Sequence, residues 1–466
     1  LCRDDEVFFL RGEMPLERSG DETVAGRFRI AAGETRCLSL AYTRRDIAVV
    51  PTLGSDAVAR LEETASWWRS WVARCTIEGA YRDALVRSAL TLKLLSYSLS
   101  GAVVAAATTS LPEVVGGSRN WDYRYCWLRD ASLIAQAFTD LGYGYEAEFF
   151  LDWLLHATRL TWPRLDVLYD VYGEVRLPER EIAELEGYRQ SRPVRVGNGA
   201  GKQLQLDVYG SVVQAAYEYV ERGGRLDLGE AGLLAGFGRQ VCMQWREPDE
   251  GIWEKRSGRS HHTYSKMMCW VALDLLLKLA RMGQVRVDVE RLERERREIE
   301  DTIERRGFNV RLNSYVAELD GDAPDASLLL AARCGYRPAD HPHMQGTFDF
   351  IDRSLGVDGM LYRYIPATDG LIGKEGTFGI ASFWAVEYLA LAGRVNEARE
   401  RFERLLRLSN DCGLYAEEID PRTGAALGNF PQAFTHVGLI TAGVALRRAE
   451  AEGMPRTDSD DANTSG

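Results

Sequence analysis

From residue 57 onward apolar side chains recur with a period near 3.6, the spacing that puts them on one face of a helix. The pattern predicts helices over 57–73, 81–98, 128–141, 146–160, 210–222, 230–245 and 264–282. It continues over 288–306, 326–333, 344–355, 378–392, 395–409 and 433–450. Asp288–Arg306 is almost entirely charged, which predicts an outer, solvated helix rather than a nucleic-acid patch. Before residue 50 the period is two. Glu6–Leu10, Gly26–Ile30 and Thr35–Tyr42 alternate between Gly, Asp and Glu turns and predict three short strands. Three strands are too few to bury both faces of a sandwich. Val50-Pro-Thr-Leu-Gly-Ser marks a boundary, so 1–52 reads as a β-rich segment and 53–452 as a large helical domain. Residues 453–466 are polar and acidic, have nothing to bury, and read as a disordered tail.

Between the helices lie long loops, at 111–127, 163–209, 248–263 and 361–377, each holding rings and charges. Loops beyond about 12–15 residues inside a compact domain usually carry function. Composition adds bounds. With 466 residues, 45% of them hydrophobic, a large core is within reach. A net charge of -12, with both signs mixed along the chain, excludes a phosphate-backbone partner, which needs a basic face. No apolar run is long enough to span a membrane. The eight cysteines are scattered, mostly in apolar segments, as reduced core thiols are. With no signal peptide visible, a cytoplasmic location is expected. The six histidines lack the spacing of a metal-ligand set, so no metal and no cofactor are expected. Nothing in the sequence fixes the oligomeric state.

The densest chemistry is in Gly116–Asp130. Trp121, Tyr123, Tyr125 and Trp127 are interleaved with Arg119, Arg124, Arg129, Asp122 and Asp130. Rings beside fixed charges suit a sugar pocket, in which ring faces meet C–H faces and charged groups bond hydroxyls in set directions. Asp130 has an alternative reading as the N-cap of the following helix.

Asn120-Trp-Asp-Tyr-Arg-Tyr-Cys-Trp-Leu-Arg-Asp-Ala-Ser132 resembles the signature of glycoside hydrolase family 15, which holds glucoamylases and bacterial trehalase-like enzymes. The resemblance continues in Gly251–Arg256, Tyr264–Trp270, Gly376–Phe378 and Gly413–Asp420, and covers roughly residues 80 to 450. Periodicity alone predicts a large all-α domain. The resemblance implies a mainly α fold, an (α/α)6 barrel, with the β-rich segment as the last part of a longer N-terminal domain.

It also implies an inverting, exo-acting hydrolase that releases glucose from α-glucosides. Such chemistry needs one carboxylic acid to protonate the leaving oxygen and one carboxylate to activate water. Glu254, directly after Trp253, matches the acid; a glutamate against an indole is partly desolvated, which favours the protonated form. Without the resemblance, it reads rather as an exposed loop residue. Glu417 matches the base. Glu418 must face the other way in an extended segment, and its alternative reading is a surface acid bonded to the turn at 421–424. Arg129 and Asp130 match the pair that holds the glucose hydroxyls. Tyr123 matches a tyrosine at the reacting centre, Trp127 and Trp253 match pocket walls, and Arg363 matches an arginine at the neighbouring subsite. His262 departs from the family, in which an aromatic carbon ring is expected.

Two alternatives remain at this level. One is a phosphorolytic or isomerising barrel enzyme, the other a non-catalytic glycan-binding relative. The substrate is also open. The run Lys255–His262 is polar and basic and favours a pocket for trehalose or a short α-glucoside. The 163–209 loop, with Tyr169, Tyr172 and Tyr188, and Trp162 beside it, offers a stacking platform for longer glucans.

Overall fold

The computed structural model describes residues 2–3, 6–20, 23–43, 50, 52–365 and 375–453. The expected tail at 454–466 lies outside the described residues, as does part of the 361–377 loop. The chain divides into two compact units, Leu1–Cys75 and Thr76–Gly466.

In the first unit Glu6–Gly12 pairs antiparallel with Leu38–Thr43 and with Cys2–Arg3. The register sets Phe8 opposite Tyr42 and Leu10 opposite Leu40 on one face of the sheet, where all four are exposed. Gly26–Ile30 forms no strand. Its alternation has no sheet to pack against, and Phe28 and Ile30 stay exposed. Helix α1, Ser55–Val72, completes this unit.

The second unit is a ring of helical hairpins. The outer helices are α2 (Arg82–Leu95), α4 (Gly144–Arg159), α6 (Leu228–Gln244), α8 (Val289–Thr302), α10 (Pro342–Leu355) and α12 (Val395–Leu406). Each precedes an inner element: α3 (Ala131–Asp140), α5 (Asp207–Glu221), α7 (Thr263–Arg281), the short turn-and-helix 326–333 with α9 (Leu330–Arg333), α11 (Gly379–Leu391) and α13 (Ala433–Gly453). Each inner element packs on the next, and α13 closes the ring on α3.

The sequence sorts the two layers. Helices α7 and α11 are buried on nearly every side, as apolar or small residues all round require. Helix α8 buries only Leu292, Glu295 and Ile299, and α12 only Ala398, Phe402 and Leu405, one stripe each. The charged helix at 288–306 is therefore an outer one, as its composition predicts. Close approach of α5 to α7 depends on Gly210, since a β-carbon there would lie 2.5 Å from the Met268 carbonyl oxygen.

Connections from inner to outer helices are short: 141–143, 222–227, 282–288, 334–341 and 392–394. Connections from outer to inner are long, and all of them end at an inner N-terminus. The long loops singled out in the sequence are these. No helix among the described residues is long and apolar enough to cross a membrane.

Candidate active site

A pocket of about 730 Å³, counted to its open mouth, is lined from five of the long loops and the start of α13. Tyr123, Trp127, Arg129, Asp130, Trp253, Glu254, Arg363 and Glu417 all line it. The structure therefore brings together every residue matched to a catalytic or substrate-binding role in the sequence.

Two rings of one loop hold the two candidate carboxylates. The Tyr123 hydroxyl donates to Glu417 Oε1 at 2.6 Å, and Trp127 Nε1 donates to Glu254 Oε1 at 2.6 Å. The rings themselves meet edge to face, with centroids 5.4 Å apart. Cys126 and Trp127 are fixed by pairing with Leu168 and Tyr169. One short stretch thus anchors both carboxylates, although each comes from a different loop. Each keeps its second oxygen, Oε2, for the pocket.

Glu254 sits at φ 58°, in the left-handed region that side chains rarely adopt. Its neighbours hold it there. Gln203 Nε2 donates to its carbonyl at 3.2 Å, Lys255 pairs with Glu318 at 2.9 Å, and Arg256 pairs with Glu179 at 2.9 Å. The indole against the Glu254 carboxylate is that of Trp127. Trp253 instead donates its N–H to Asp325 Oδ1 at 2.8 Å and packs edge-on against Phe378. His262 does not reach the pocket. It is buried behind the acid's loop, with its ring against Gly251, and burial, reinforced by the Lys255 charge, pushes its imidazole down to about 4. The departure from the family pattern therefore falls outside the pocket lining.

Glu417 precedes a two-residue strand, Glu418–Ile419, paired with Thr377–Phe378 and Ala426–Leu427. The extended backbone sends Glu417 into the pocket and Glu418 away from it. Glu418 is fully buried rather than on the surface. It accepts from the Gly376 amide at 2.8 Å and lies 3.7 Å from Arg363. Glu417 Oε2 is buried with no protein partner, beside Gly428. Gly428 has φ +77°, and a β-carbon there would stand 2.7 Å from that oxygen. Gly428→Ala is therefore expected to displace the carboxylate. A misplacement near 1 Å costs about 10²-fold in rate, so kcat should fall by about that factor. Tm should fall only by the strain of an alanine at positive φ, about 1–2 kcal/mol. Unchanged kcat with a lowered Tm would show that Oε2 has no role.

Arg129 and Asp130 form a pair, Nε to Oδ1 at 3.0 Å. Arg129 Nη1 also donates to the Ile252 carbonyl at 2.6 Å and reaches Glu254 Oε1 at 3.4 Å. Asp130 stands at the N-cap position of α3, yet its side chain makes no capping bond. Burial raises its carboxyl against the opposing Arg129 charge. Asp130→Asn should lower kcat/KM by about tenfold to a hundredfold, the worth of a charged hydrogen bond of about 1.5–3 kcal/mol. Calorimetry should find Tm within a few degrees of the parent. A clear drop in Tm at normal kcat/KM would restore the capping role.

Arg363 lines the pocket but is gripped from behind by Glu375 at 2.9 Å and Glu113 at 3.2 Å. Arg119 joins the same cluster through Glu375 at 2.5 Å, and Tyr364 donates to Glu375 at 2.8 Å. Burial drives the Glu113 and Glu418 carboxyls up, and the negative charges of Glu375 and Glu417 drive both further. The base's wall thus combines two fixed guanidiniums with carboxyls that burial drives toward the protonated form. Sequence reasoning missed Glu113 and Glu375 in this cluster, gave Arg119 no separate role, and also missed Asn198, Gln203, Gln432 and Phe434 in the pocket lining. No local spacing marks them.

The sequence model for glycosyl hydrolases family 15 matches residues 79–444, most of the chain and all of the pocket. The chain belongs to that family. Among its relatives, the trehalase of Thermoplasma volcanium is 37% identical over 451 residues, which is 96% of this chain and 71% of that one. The trehalase of Mycolicibacterium smegmatis is 40% identical over 432 residues, 91% of this chain and 64% of that one. Among solved structures, a bacterial glucoamylase complexed with acarbose superposes with a TM-score of 0.72 at 14% identity, over 96% of this chain and 72% of that one. At that identity the likeness shows the fold alone. The ring of hairpins is the (α/α)6 barrel expected of family 15, and the chain is a glycoside hydrolase that acts on carbohydrate.

Proposed function

We propose that the chain hydrolyses α,α-trehalose to two glucose molecules with inversion at one anomeric carbon. The observation that carries the reading is the pair of carboxylates, Glu254 and Glu417, anchored through Oε1 to Trp127 and Tyr123 and each left with one oxygen for chemistry. Glu254 Oε2 protonates the glycosidic oxygen. Glu417 Oε2, buried and without a protein partner, takes the proton of the water that attacks the opposite face. Arg129 and Asp130 hold the hydroxyls of the glucose being attacked. Arg363 meets the departing one.

The long loop that could have furnished a platform for longer glucans supports the short substrate instead. Tyr169 is fully buried against Cys126, while Trp162, Tyr172 and Tyr188 lie exposed and none of them lines the pocket. Asn198, Ala200 and Gln203 are what that loop contributes. The trehalases among the relatives support the same substrate.

Anomer-resolved NMR of the first turnovers tests this. Inversion yields α- and β-glucose in equal amounts from trehalose, one from the departing ring and one from the attacked ring. Two α-anomers would mean retention, and product only with added phosphate would mean phosphorolysis.

The pH profile tests the base. Burial, offset by Arg363 and by the Tyr123 hydrogen bond, leaves the Glu417 carboxyl raised to about 7. The base works only when ionised, so kcat/KM should climb with pH and level off above about 7. Tyr123→Phe removes a bond to the ionised form and should move that limb upward. A limb in the ordinary carboxylate range, near about 4, would remove Glu417 from this role.

A further inference from the structure

At the mouth of the pocket three long loops meet on a single ring. Trp121 is half-buried, lines the pocket, and donates its N–H to Glu113 at 2.8 Å. The Arg256 guanidinium lies over its ring, Cζ 4.3 Å from the centroid, and Arg195 lies 4.7 Å away. Arg256 is itself gripped by Glu179, Nη2 to Oε2 at 2.9 Å and Nη1 to Oε1 at 3.4 Å. The Gly199 amide fixes the same Glu179 oxygen at 3.0 Å. Burial would raise the Glu179 carboxyl, but the hydrogen bonds from Arg256 and Gly199 outweigh it and hold it below the usual range, so the clasp is ionic. Arg195 fastens the other side by donating to the Ser118 and Asn120 carbonyls at 2.9 and 3.0 Å.

A sugar beyond the second needs an open ring face to stack on. Most rings of the lining, Trp127, Trp253, Tyr364, Phe378 and Phe434, are buried, and Tyr123 is committed to Glu417. Among the described residues, Trp121 is the remaining lining ring, and the Arg256 guanidinium lies over it.

We infer that Arg256, laid on Trp121 and gripped by Glu179, is the residue that limits this pocket to a disaccharide. The inference rests on the reading that α-glucosides are hydrolysed between Glu254 and Glu417, but not on trehalose being the disaccharide. Glu179 does not line the pocket and acts through Arg256 as a positioning residue. Arg256 also lies two residues from Glu254, so the clasp that closes the mouth helps hold the acid's backbone.

The test is the ratio of kcat/KM for maltotriose to kcat/KM for the preferred disaccharide. In the parent enzyme this ratio should lie well below one. Arg256→Ala uncovers the ring and should raise it about tenfold, the worth of one good aromatic contact. The rise should appear mainly as a lower KM for maltotriose. Glu179→Gln keeps the volume but loosens the grip, and should raise the ratio about threefold, as loss of a part-exposed ion pair allows. Arg259→Ala, a nearby arginine outside the lining, should leave the ratio unchanged. The inference is overturned if the parent already prefers maltotriose. It is also overturned if either variant lowers both substrates in parallel, or if the ratio moves by less than about twofold in both. Should the parent cleave maltose but not trehalose, the proposed substrate falls, while the same ratio, taken against maltose, still decides the role of Arg256.

Discussion

Glu254→Gln is expected to lower kcat on trehalose by about 10²–10⁴-fold, the usual contribution of a positioned acid. The amide has nearly the same shape and still accepts from Trp127, so KM should change little and Tm should hold. What is lost is a proton for the departing oxygen. An activated substrate, such as an aryl α-glucoside or α-glucosyl fluoride, needs less of that proton and should recover much of the lost rate. Equal losses on trehalose and on the fluoride would take the acid's role from Glu254. A collapse in Tm would mean that the contacts around Trp127 and Arg129 do not survive loss of the charge.

Glu417→Gln and Glu418→Gln, neighbours in sequence, should differ by orders of magnitude. The first should cost about 10²–10⁴-fold on every substrate, because the attacking water needs a base whatever group departs. The second should cost no more than about threefold at pH 7, a change under ~0.7 kcal/mol. Burial, reinforced by Glu113 and Glu375, drives the Glu418 carboxyl well above the ordinary carboxylate range, toward the protonated form. Glutamine closely copies a protonated carboxyl. The sign of the stability change follows from the same shift. The folded protein holds this proton more tightly than the unfolded chain, so Glu418 favours the fold below about pH 4 and weighs against it increasingly as pH rises. Glu418→Gln should therefore melt at or above the parent temperature, with a margin that grows from pH 5 to pH 9. Exchanged phenotypes would exchange the two assignments.

How far the site could be read in advance depended on how the chain delivers it. Tyr123, Trp127, Arg129 and Asp130 lie in one continuous loop, so their density marks them before any folding is known. Glu254 and Glu417 stand out only through family resemblance, because an isolated loop glutamate carries no pattern. The wall around Arg363 was not legible at all. Glu113, Arg119, Glu375 and Glu418 converge from three different loops, and their burial is a property of the assembled ring. Neighbours in sequence also misled. A glutamate after a tryptophan suggests contact, yet the left-handed turn at Glu254 turns the two side chains apart and brings Trp127 in instead. The helices were legible nearly throughout: inner α7 and α11 are apolar or small on nearly every side, and outer α8 and α12 each carry a single stripe. Gly26–Ile30 alternates as a strand should, but alternation records a capacity to bury one face and supplies no partner for it.

The unequal lengths of the connections bear on how such a chain can vary. Every long connection runs toward an inner helix, and five of the six line the pocket, while the opposite rim is joined by the brief turns 141–143, 222–227, 282–288, 334–341 and 392–394. Insertions at those turns lengthen a surface that touches no substrate, and cost little because loop-closure entropy grows slowly with length. The same insertion on the other rim would shift a carboxylate or a clasp. Lineages of this barrel can therefore acquire appendages, tags or oligomer contacts on one rim while altering sugar preference on the other. The two kinds of change need not interfere, because they occupy opposite ends of the same helices.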